Sequence, residues 1–425
     1  MLKSFKNKLF SFYRTIISSI AFYPSLILAI FIIIAFLFLS IDKSVSTFLR
    51  DTAPFLLIDD AESGRIILTT LIGGIISLMV FSFSMVMVLL NQASSNFSPR
   101  LLPGLISNRN NQSVLGFYLG TIVYNIIVTI GISPYGEDNT INGFSILIGI
   151  ILGVGCLGMF IFFIHTISTN IQINNILERI FLTTKDRLRL LIDQERQNED
   201  KLKVNDSSWK IIRSSRSGYF QGVNLNGIME LSEEYGINIK VLPFKGKHLL
   251  PNMNVMKIDR SLDDEKVKIL KEYIIYSSTE DISDNYVLGI KQITEVGIKA
   301  MSPGINDPGT ALITLDYLTE LFSLRMEVDE YEIYKKVGGE SLVQLATVSF
   351  SNLMYNCLAA YRQYCKHDLL IMEKIIYMLK YLRRQKAEVD SYLKVIDQQL
   401  NIVREDCRLN IENSTDKDRI LQLLD

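Results

Sequence analysis

The residues with the clearest chemical potential lie in one short stretch, MSPGINDPGTA, from Met301 to Ala311. Pro303 lacks a backbone donor and constrains the residue before it, so a helix that arrives at this point must end. Asp307 precedes Pro308, and aspartate followed by proline is a favoured way to begin a helix. The carboxylate of Asp307 then reaches the amide of Thr310, at the third helical position. The sequence therefore predicts a capped corner between two helices.

The same corner has a second interpretation, as a binding site. A helix N-terminus beside serine, asparagine and glycine can bind an anion or contribute carbonyl oxygens to a cation site. Acidic residues upstream could supply further oxygen ligands, although the solvated start of a helix also explains them. The upstream acids are Glu280, Asp281 and Asp284. The candidate ligand or ion residues are Ser302, Gly304, Asn306, Asp307, Thr310 and Asp284.

A second set of polar residues lies inside long apolar runs. Seven residues of the second run recur at alternating spacings of three and four, which places them on one helix face. They are Thr70, Gly74, Ser77, Phe81, Ser84, Val88 and Asn91. Small and polar residues on one face of a membrane helix indicate helix packing or the lining of a pore.

The third apolar run carries polar residues four positions apart, at Thr121, Asn125 and Thr129. An unpaired polar group in hydrocarbon costs several kcal/mol, so Asn125 needs a hydrogen-bond partner. We expect that partner on the second run. Asn125 therefore joins the residues of the predicted pore or packing face.

Motifs typical of enzymes and cofactor sites are missing from the sequence. The segment from Gly153 to Gly158 spells GxGxxG, but it lies inside an apolar run and indicates helix packing. No P-loop, HExxH or GxSxG motif occurs, and the histidines are scattered. We therefore predict no catalytic residues and no metal, and the sequence identifies no cofactor. Cys357, Cys365 and Cys407 lack metal-ligand spacing, and we expect no disulfides among them.

Four apolar runs position the polar residues of the first half of this 425-residue chain. Each approaches or exceeds the roughly 20 residues that a membrane-spanning helix needs. The runs are Ser19 to Ile41, Ile66 to Leu90, Leu115 to Ile132 and Phe144 to Ile164. None contains Asp, Glu, Lys or Arg, which argues against a pump or coupled carrier but leaves a channel open.

Charge in the connecting segments predicts the orientation of the chain. Lysine and arginine without acids occupy residues 1–18 and the segment between the second and third runs. Acids dominate the other two connections, including Asp42 and Asp51 after the first run. Both termini are therefore expected on the cytoplasmic side. The net charge of −1 argues against a nucleic-acid partner.

After the four-span domain, residues 1–168, the pattern changes to that of an α+β domain. Residues 169–207 predict a helix and a polar linker, and residues 208–259 a small β-β-α-β-β module whose helix ends at Gly236. Residues 260–425 predict a mainly helical domain, including LDDEKVKILKEYIIYSS and the segments after Glu340. The expected fold class is an integral membrane protein with four transmembrane helices followed by a cytosolic α+β domain.

Three motifs carry a resemblance to a known family. They are NFSPRLL (Asn96 to Leu102), SGYFQGV (Ser217 to Val223) and SPGINDPGTA (Ser302 to Ala311). With these motifs the chain resembles the bacterial family of predicted membrane proteins known as domain of unknown function twenty-two fifty-four. The resemblance extends from the first span to the late helices and implies an inner-membrane protein. In the family an Arg-Thr pair and an Asp precede the SPGINDP helix; here Thr279 and Asp284 are the counterparts, and the Arg is missing.

These patterns favour a homo-oligomeric ion channel or permeation protein of the bacterial cytoplasmic membrane, regulated by its cytosolic domain. The polar stripes and the size of the cytosolic domain support this hypothesis. One alternative is a membrane-anchored sensor or scaffold whose cytosolic domain binds a ligand or partner. Another is an enzyme that uses the Asn306–Asp307 corner, the upstream acids and a divalent metal. The lipid bilayer and further copies of the chain are the expected partners.

Overall fold

The computed structural model describes residues 21–58, 60–96, 109–132, 143–170, 172–197, 206–277, 285–335 and 338–424. The chain divides into two compact units, Met1–Asn175 and Ile176–Asp425. The FSPR part of the first family motif and Asp284, a candidate ligand, both lie outside the described residues.

The described residues of the first unit form four long helices. They are α1 (Phe22–Thr52), α2 (Ala61–Asn96), α3 (Arg109–Gly131) and α4 (Gly143–Asn170). Each is long and apolar enough to cross a membrane, which confirms the four predicted spans. The least apolar of them, α3, packs against each of the other three. Because α3 is shielded in this way, it can carry more polar side chains than a helix that faces lipid.

The helices extend beyond the apolar runs, and this corrects the predicted connection between the first two spans. Asp42 and Asp51, expected in an acidic loop, lie inside α1. A short 3-10 helix, Pro54–Leu56, follows, and the carboxylate of Asp60 accepts the amide of Ser63 at 2.8 Å near the start of α2. The length of an apolar run reflects the thickness of the membrane. The backbone hydrogen bonds of the helix can continue beyond the last apolar residue.

The interior of the four-helix unit is packed with apolar side chains. Two buried clusters fill it, one around Phe31 and the other around Cys156. Gly153 of α4 lies so close to α2 that an added Cβ would be 2.9 Å from Cδ2 of Leu71. This close approach confirms Gly153 as part of a packing face, as expected for small residues inside a span.

The second unit contains most of helix α5 (Ile173–Gln197) and two sheets. The strands are β1 (Lys210–Arg213), β2 (Gly218–Val223), β3 (Ile239–Val241), β4 (His248–Leu249), β5 (Asn254–Ile258), β6 (Ile274–Ser277), β7 (Tyr331–Lys335) and β8 (Leu342–Ala346). One sheet has the order β1-β5-β3-β8-β7, with β3 and β8 parallel, and the other has the order β4-β2-β6. Apolar residues of both sheets, such as Phe220 and Ile239, share one buried cluster.

The other described elements of this unit are helices. They are α6 (Leu225–Tyr235), α7 (Asp264–Glu272), α8 (Tyr286–Ala300), α9 (Pro308–Arg325), α10 (Phe350–Cys365), α11 (Leu369–Arg383), α12 (Ser391–Asn410) and α13 (Ser414–Gln422). The predicted end of α6 is confirmed, since Gly236 ends the helix with a φ of 61°. At its start the cap is Asn224, whose side chain accepts the amide of Gly227 at 3.2 Å, so Asn226, which the sequence favours as the cap, lies inside the helix. Cys357, Cys365 and Cys407 are buried and free.

Three strands interrupt the region after residue 259, which is otherwise mainly helical, and two of them lie in segments that were predicted as helix: the end of LDDEKVKILKEYIIYSS and the segment just after Glu340. Ile274–Ser277, Tyr331–Lys335 and Leu342–Ala346 form β6, β7 and β8. The five-stranded sheet therefore joins strands from both sides of that position. Short apolar runs fit a helix or a strand equally well. Only pairing with residues far away in sequence decides between them.

Helices α8, α9 and α10 pack closely around a glycine. A Cβ at Gly297 of α8 would overlap Oη of Tyr361 and Oγ1 of Thr314. These two oxygens lie 2.7 Å apart and share a buried hydrogen bond. Gly297 therefore permits both the close approach of the helices and a paired polar contact in their interior.

Candidate functional site

The SPGINDP corner connects α8 to α9 and has the predicted cap. The Thr310 amide donates to Oδ1 of Asp307 at 3.1 Å, and the Thr310 hydroxyl donates to Oδ2 at 2.5 Å. The Asp307 amide donates to the carbonyl oxygen of Ala300 at 2.8 Å, which fastens the corner to the end of α8. The interpretation of Asp307 as a helix cap is confirmed, and both of its carboxylate oxygens are used.

The other residues of the corner form its exposed tip. The carbonyl oxygen of Ser302 accepts the amides of Ile305 and Asn306, each at 3.0 Å, so the chain turns sharply here. Asn306 has a φ of 48°, and asparagine tolerates this left-handed conformation better than most residues. Gly304 is exposed as well. The left-handed backbone therefore accounts for asparagine at position 306, whereas the carbonyl of Ser302 would accept these bonds with any side chain.

The corner does not assemble a metal site from its described residues. Within the described parts of the chain, no group of three or more His, Cys, Asp or Glu side chains could hold a metal ion. Asp307 and Thr310 contact each other, whereas Gly304 and Asn306 are exposed and Ser302 is half-buried. The hypothesis of a ligand or ion site at Ser302, Gly304, Asn306, Asp307, Thr310 and Asp284 stays a prediction.

The polar face of α2 points away from the four-helix interior. Its small and polar members are all exposed: Thr70, Gly74, Ser77, Ser84 and Asn91. The Thr70 hydroxyl donates to the Ile66 carbonyl at 2.7 Å, and the Ser77 hydroxyl donates to the Gly73 carbonyl at 3.0 Å. A Cβ added at Gly74 would meet nothing within 4 Å. Phe81 of the same face contacts α4, since its ring centre lies 5.9 Å from that of Phe160. The small and polar members of the face are open to the surroundings of the subunit.

A different face of α2 packs inside the unit. Gly64, Leu68, Ile75 and Ser82 are buried there. Their spacings of four and seven residues place them on a single stripe. This stripe of α2 is therefore enclosed by its own subunit, whereas the small and polar residues of the other face are exposed.

Asn125 lies at the centre of the bundle without the expected hydrogen bond. Its side chain is fully buried, and among the described residues neither Oδ1 nor Nδ2 has a hydrogen-bond partner. Its Oδ1 lies against α4, 2.5 Å from where a Cβ of Gly149 would stand. The prediction of a bond from Asn125 to the second span is therefore wrong. A buried amide without partners destabilises the fold by about 1–3 kcal/mol for each group, unless a bound molecule satisfies it.

Asp42 is a buried carboxylate that the sequence analysis placed in a loop. It is 1% exposed, and its carboxylate accepts bonds from the Ser46 hydroxyl at 2.7 Å, the Ser145 amide at 2.6 Å and the Ser145 hydroxyl at 2.5 Å. The Ser46 hydroxyl also accepts the Phe144 amide at 3.0 Å. Two residues of α1 therefore cap the N-terminus of α4, where a negative charge is favoured.

This cap also involves α3. The Tyr124 hydroxyl donates to the carbonyl oxygen of Ser145 at 3.0 Å. The sequence contains a signal for the arrangement, since Asp42 and Ser46 are four residues apart and face the same side of a helix. The signal was missed because the first span was expected to end at Ile41.

The fold and these sites define a class: a four-span membrane protein with a C-terminal α+β domain. The chain belongs to the family described as Predicted membrane protein (DUF2254), whose model matches residues 17–381. This match confirms the family that the FSPR and SPGINDP motifs indicated.

Curated relatives are found in mycobacteria. An uncharacterized protein of Mycobacterium bovis and one of Mycobacterium tuberculosis are each 23% identical to this chain over 339 residues. Each match covers 76% of this chain and 64% of the relative, so the chain spans a little less than two thirds of their length. No solved structure has a significant match to the chain.

Proposed function

We propose that this protein is a homo-oligomeric permeation protein of the bacterial cytoplasmic membrane, with a path for ions along the polar face of α2. The observation that carries the proposal is the outward direction of that face. Ser77 and Ser84 are exposed on one side of α2, while the same helix buries Leu68 and Ile75 on the other. An exposed polar face inside a membrane is suited to contact with a further copy of the chain or with water.

The packed interior of the subunit supports a path between subunits rather than through one. Buried apolar clusters occupy the space between α1, α2, α3 and α4. The oxygens buried among them, such as Oδ1 of Asn125 and Oγ1 of Thr121, are enclosed by side chains. A permeating ion needs a continuous series of oxygen atoms or water in place of its hydration shell. The hydroxyls of α2 and its exposed glycines offer oxygen atoms and close helix approach at a subunit interface.

The orientation belongs to the same proposal. Basic residues before the first span and between the second and third spans favour cytoplasmic termini. The C-terminal unit, residues 176–425, then lies in the cytoplasm, where it regulates permeation. Its size and its mixed helical and sheet fold suit a regulatory role better than a passive anchor.

The test is ion flux from proteoliposomes that contain the purified protein. A variant with Ser77→Leu and Ser84→Leu replaces the hydroxyls of the polar face with bulkier apolar groups. The matched control, Ile76→Leu and Phe83→Leu, changes two exposed residues on another side of the same helix. We expect flux from the unmodified protein and the control, and at least a tenfold loss in the polar-face variant, with the oligomeric state retained.

Two results would contradict this function. Equal flux from both variants would show that ions do not permeate along the polar face of α2. A lack of flux from a well-folded oligomer, across a range of salts and voltages, would favour the second candidate. That candidate is a membrane-anchored sensor or scaffold, and the specific observation in its favour is the closed apolar core of the four-helix unit.

A further inference from the structure

The connection between α1 and α2 contains six consecutive apolar residues, APFLLI, from Ala53 to Ile58. Phe55 is 84% exposed, more than any other large apolar side chain among the described residues, and Leu56 is exposed as well. Both lie outside the apolar runs that predict the spans. Because apolar surface is unfavourable in water, an exposed apolar segment of this kind indicates a surface that binds something.

The backbone of this segment has few groups that need water. The Ala53 amide donates to the Leu49 carbonyl at 2.7 Å, the Leu56 amide to the Ala53 carbonyl at 3.1 Å, and the Leu57 amide to the Pro54 carbonyl at 3.1 Å. Pro54 has no amide to satisfy. Backbone groups paired in this way can leave bulk water without the cost of an unsatisfied donor.

The lipid-facing surface of α1 leads directly to this segment. Exposed apolar residues recur along the span at spacings of three and four, and the same face continues two turns later at Phe48, which is 66% exposed. The members of this stripe are Leu26, Ile30, Ile33, Leu37, Ile41 and Phe48. The surface that contacts lipid chains inside the membrane therefore extends beyond the apolar run.

Helix length places the end of this stripe at the membrane surface. The part of α1 from Phe22 to Ile41 rises about 30 Å, which matches the hydrocarbon core of a bilayer. The whole helix rises about 46 Å, close to the thickness of a bilayer with its headgroups. Phe48 lies about 10 Å beyond Ile41 along the axis, at the depth of the headgroups.

The chain then returns toward the start of α4. Cδ2 of Leu57 lies 3.2 Å from where a Cβ of Gly143 would stand, and Gly143 is two residues before Ser145, which binds Asp42. Asp42 follows the last residue of the apolar run. Phe55 therefore lies between the end of α1 and the level at which the apolar run stops.

We propose that Phe48, Phe55 and Leu56 insert into the headgroup region of the bilayer, so that the α1–α2 connection anchors the first two helices at the membrane surface. Lipid is the occupant because these residues continue a face that already contacts lipid. The connection also carries acids, namely Asp51, Asp59, Asp60 and Glu62. The attraction is therefore the hydrophobic effect, and neutral lipid suffices for it. The anchor does not depend on whether the protein conducts ions.

The test is the fluorescence of single tryptophans in proteoliposomes. Trp209 is the one native tryptophan, and Trp209→Phe supplies the background for Phe55→Trp. Lipids brominated near the glycerol end of their chains quench a tryptophan at the membrane surface, whereas iodide quenches one in water. We expect brominated neutral lipid to remove at least about half of the Phe55→Trp emission. The matched control is Leu409→Trp, which should respond to iodide instead. Leu409 is 76% exposed on α12, a helix that is not a candidate span.

Three results would overturn the anchor. Quenching of Phe55→Trp by iodide alone, as in Leu409→Trp, would place the connection in water. Emission that neither quencher reduces would mean that protein, such as a second copy of the chain, covers Phe55. Quenching by brominated lipid only when the lipid is anionic would show attraction by charge rather than by apolar side chains.

A second position keeps the test decisive if Phe55→Trp does not fold. Phe48→Trp makes the same comparison from α1. If the Trp209→Phe background does not fold, Phe55→Cys labelled with a fluorescent maleimide replaces the tryptophan, since the native cysteines are buried.

Discussion

At the scale of single residues, the polar groups buried in the membrane unit fall into two kinds. Asp42 has its hydrogen bonds satisfied by Ser46 and Ser145, whereas Asn125 has a fully buried amide without partners among the described residues. A satisfied buried network holds helices in one arrangement. A buried polar group without a partner lowers the stability of the fold. Replacement of Asp42 should therefore destabilise the protein, whereas replacement of Asn125 should not.

The prediction at this scale concerns Asp42. Asp42→Ala leaves the Ser145 amide at the start of α4 without its acceptor and should lower the free energy of unfolding by about 1–3 kcal/mol. Asp42→Asn keeps one acceptor oxygen and should have an intermediate effect. Thermal unfolding of the purified protein in detergent measures both. Asp51→Ala, an exposed position on the same helix, is the control and should change little. Equal effects at the two positions would show that the cap contributes no stability.

At the scale of elements, the close packing of α8 against α9 and α10 depends on Gly297. Alanine normally stabilises a helix interior by about 1 kcal/mol relative to glycine. Here the added methyl group overlaps Tyr361 and Thr314, so Gly297→Ala should destabilise the unit by about 1–3 kcal/mol. The comparison is Gly304→Ala, where an added Cβ meets nothing within 4 Å. Chemical denaturation followed by fluorescence should separate the two variants, and a neutral Gly297→Ala would contradict the packing described here.

The elements also show which parts of the fold could be predicted from the sequence alone. Run length and composition predicted the four spans, and the Asp-Pro pair predicted the start of α9, because both signals are local. β8 could not be predicted in the same way, since its place is fixed by pairing with β3, about a hundred residues away. The burial of Asp42 was missed for a related reason: its partner Ser145 lies on another helix.

At the scale of the whole molecule, the exposed polar face of α2 predicts the surface through which copies associate. Ser77→Cys, at the middle of that face, should form disulfide-linked dimers in native membranes under mild oxidation. Ile161→Cys on α4, which is 71% exposed, should not. Non-reducing electrophoresis detects the difference. Equal cross-linking at both positions would mean that α2 is not a preferred interface.

The native cysteines should give little background in this experiment. All four are buried and free. Burial raises the pKa of Cys365 and of Cys407 to about 11, so only a very small fraction of either is the reactive thiolate near neutral pH. Their labelling with a thiol reagent should therefore be slow until the protein unfolds.

The cap that α1 provides for α4 has a consequence for how the protein is made. The first helix leaves the ribosome and enters the membrane long before residues 143–145 exist. Until the fourth span is made, the carboxylate of Asp42 lacks two of its three donors, both of which belong to Ser145. The first helix then has no hydrogen bond from Asp42 to the fourth. Insertion of the fourth helix is thus the event that closes the bundle. A nascent chain arrested before it would lack the bonds between Asp42 and Ser145 that join the first helix to the fourth.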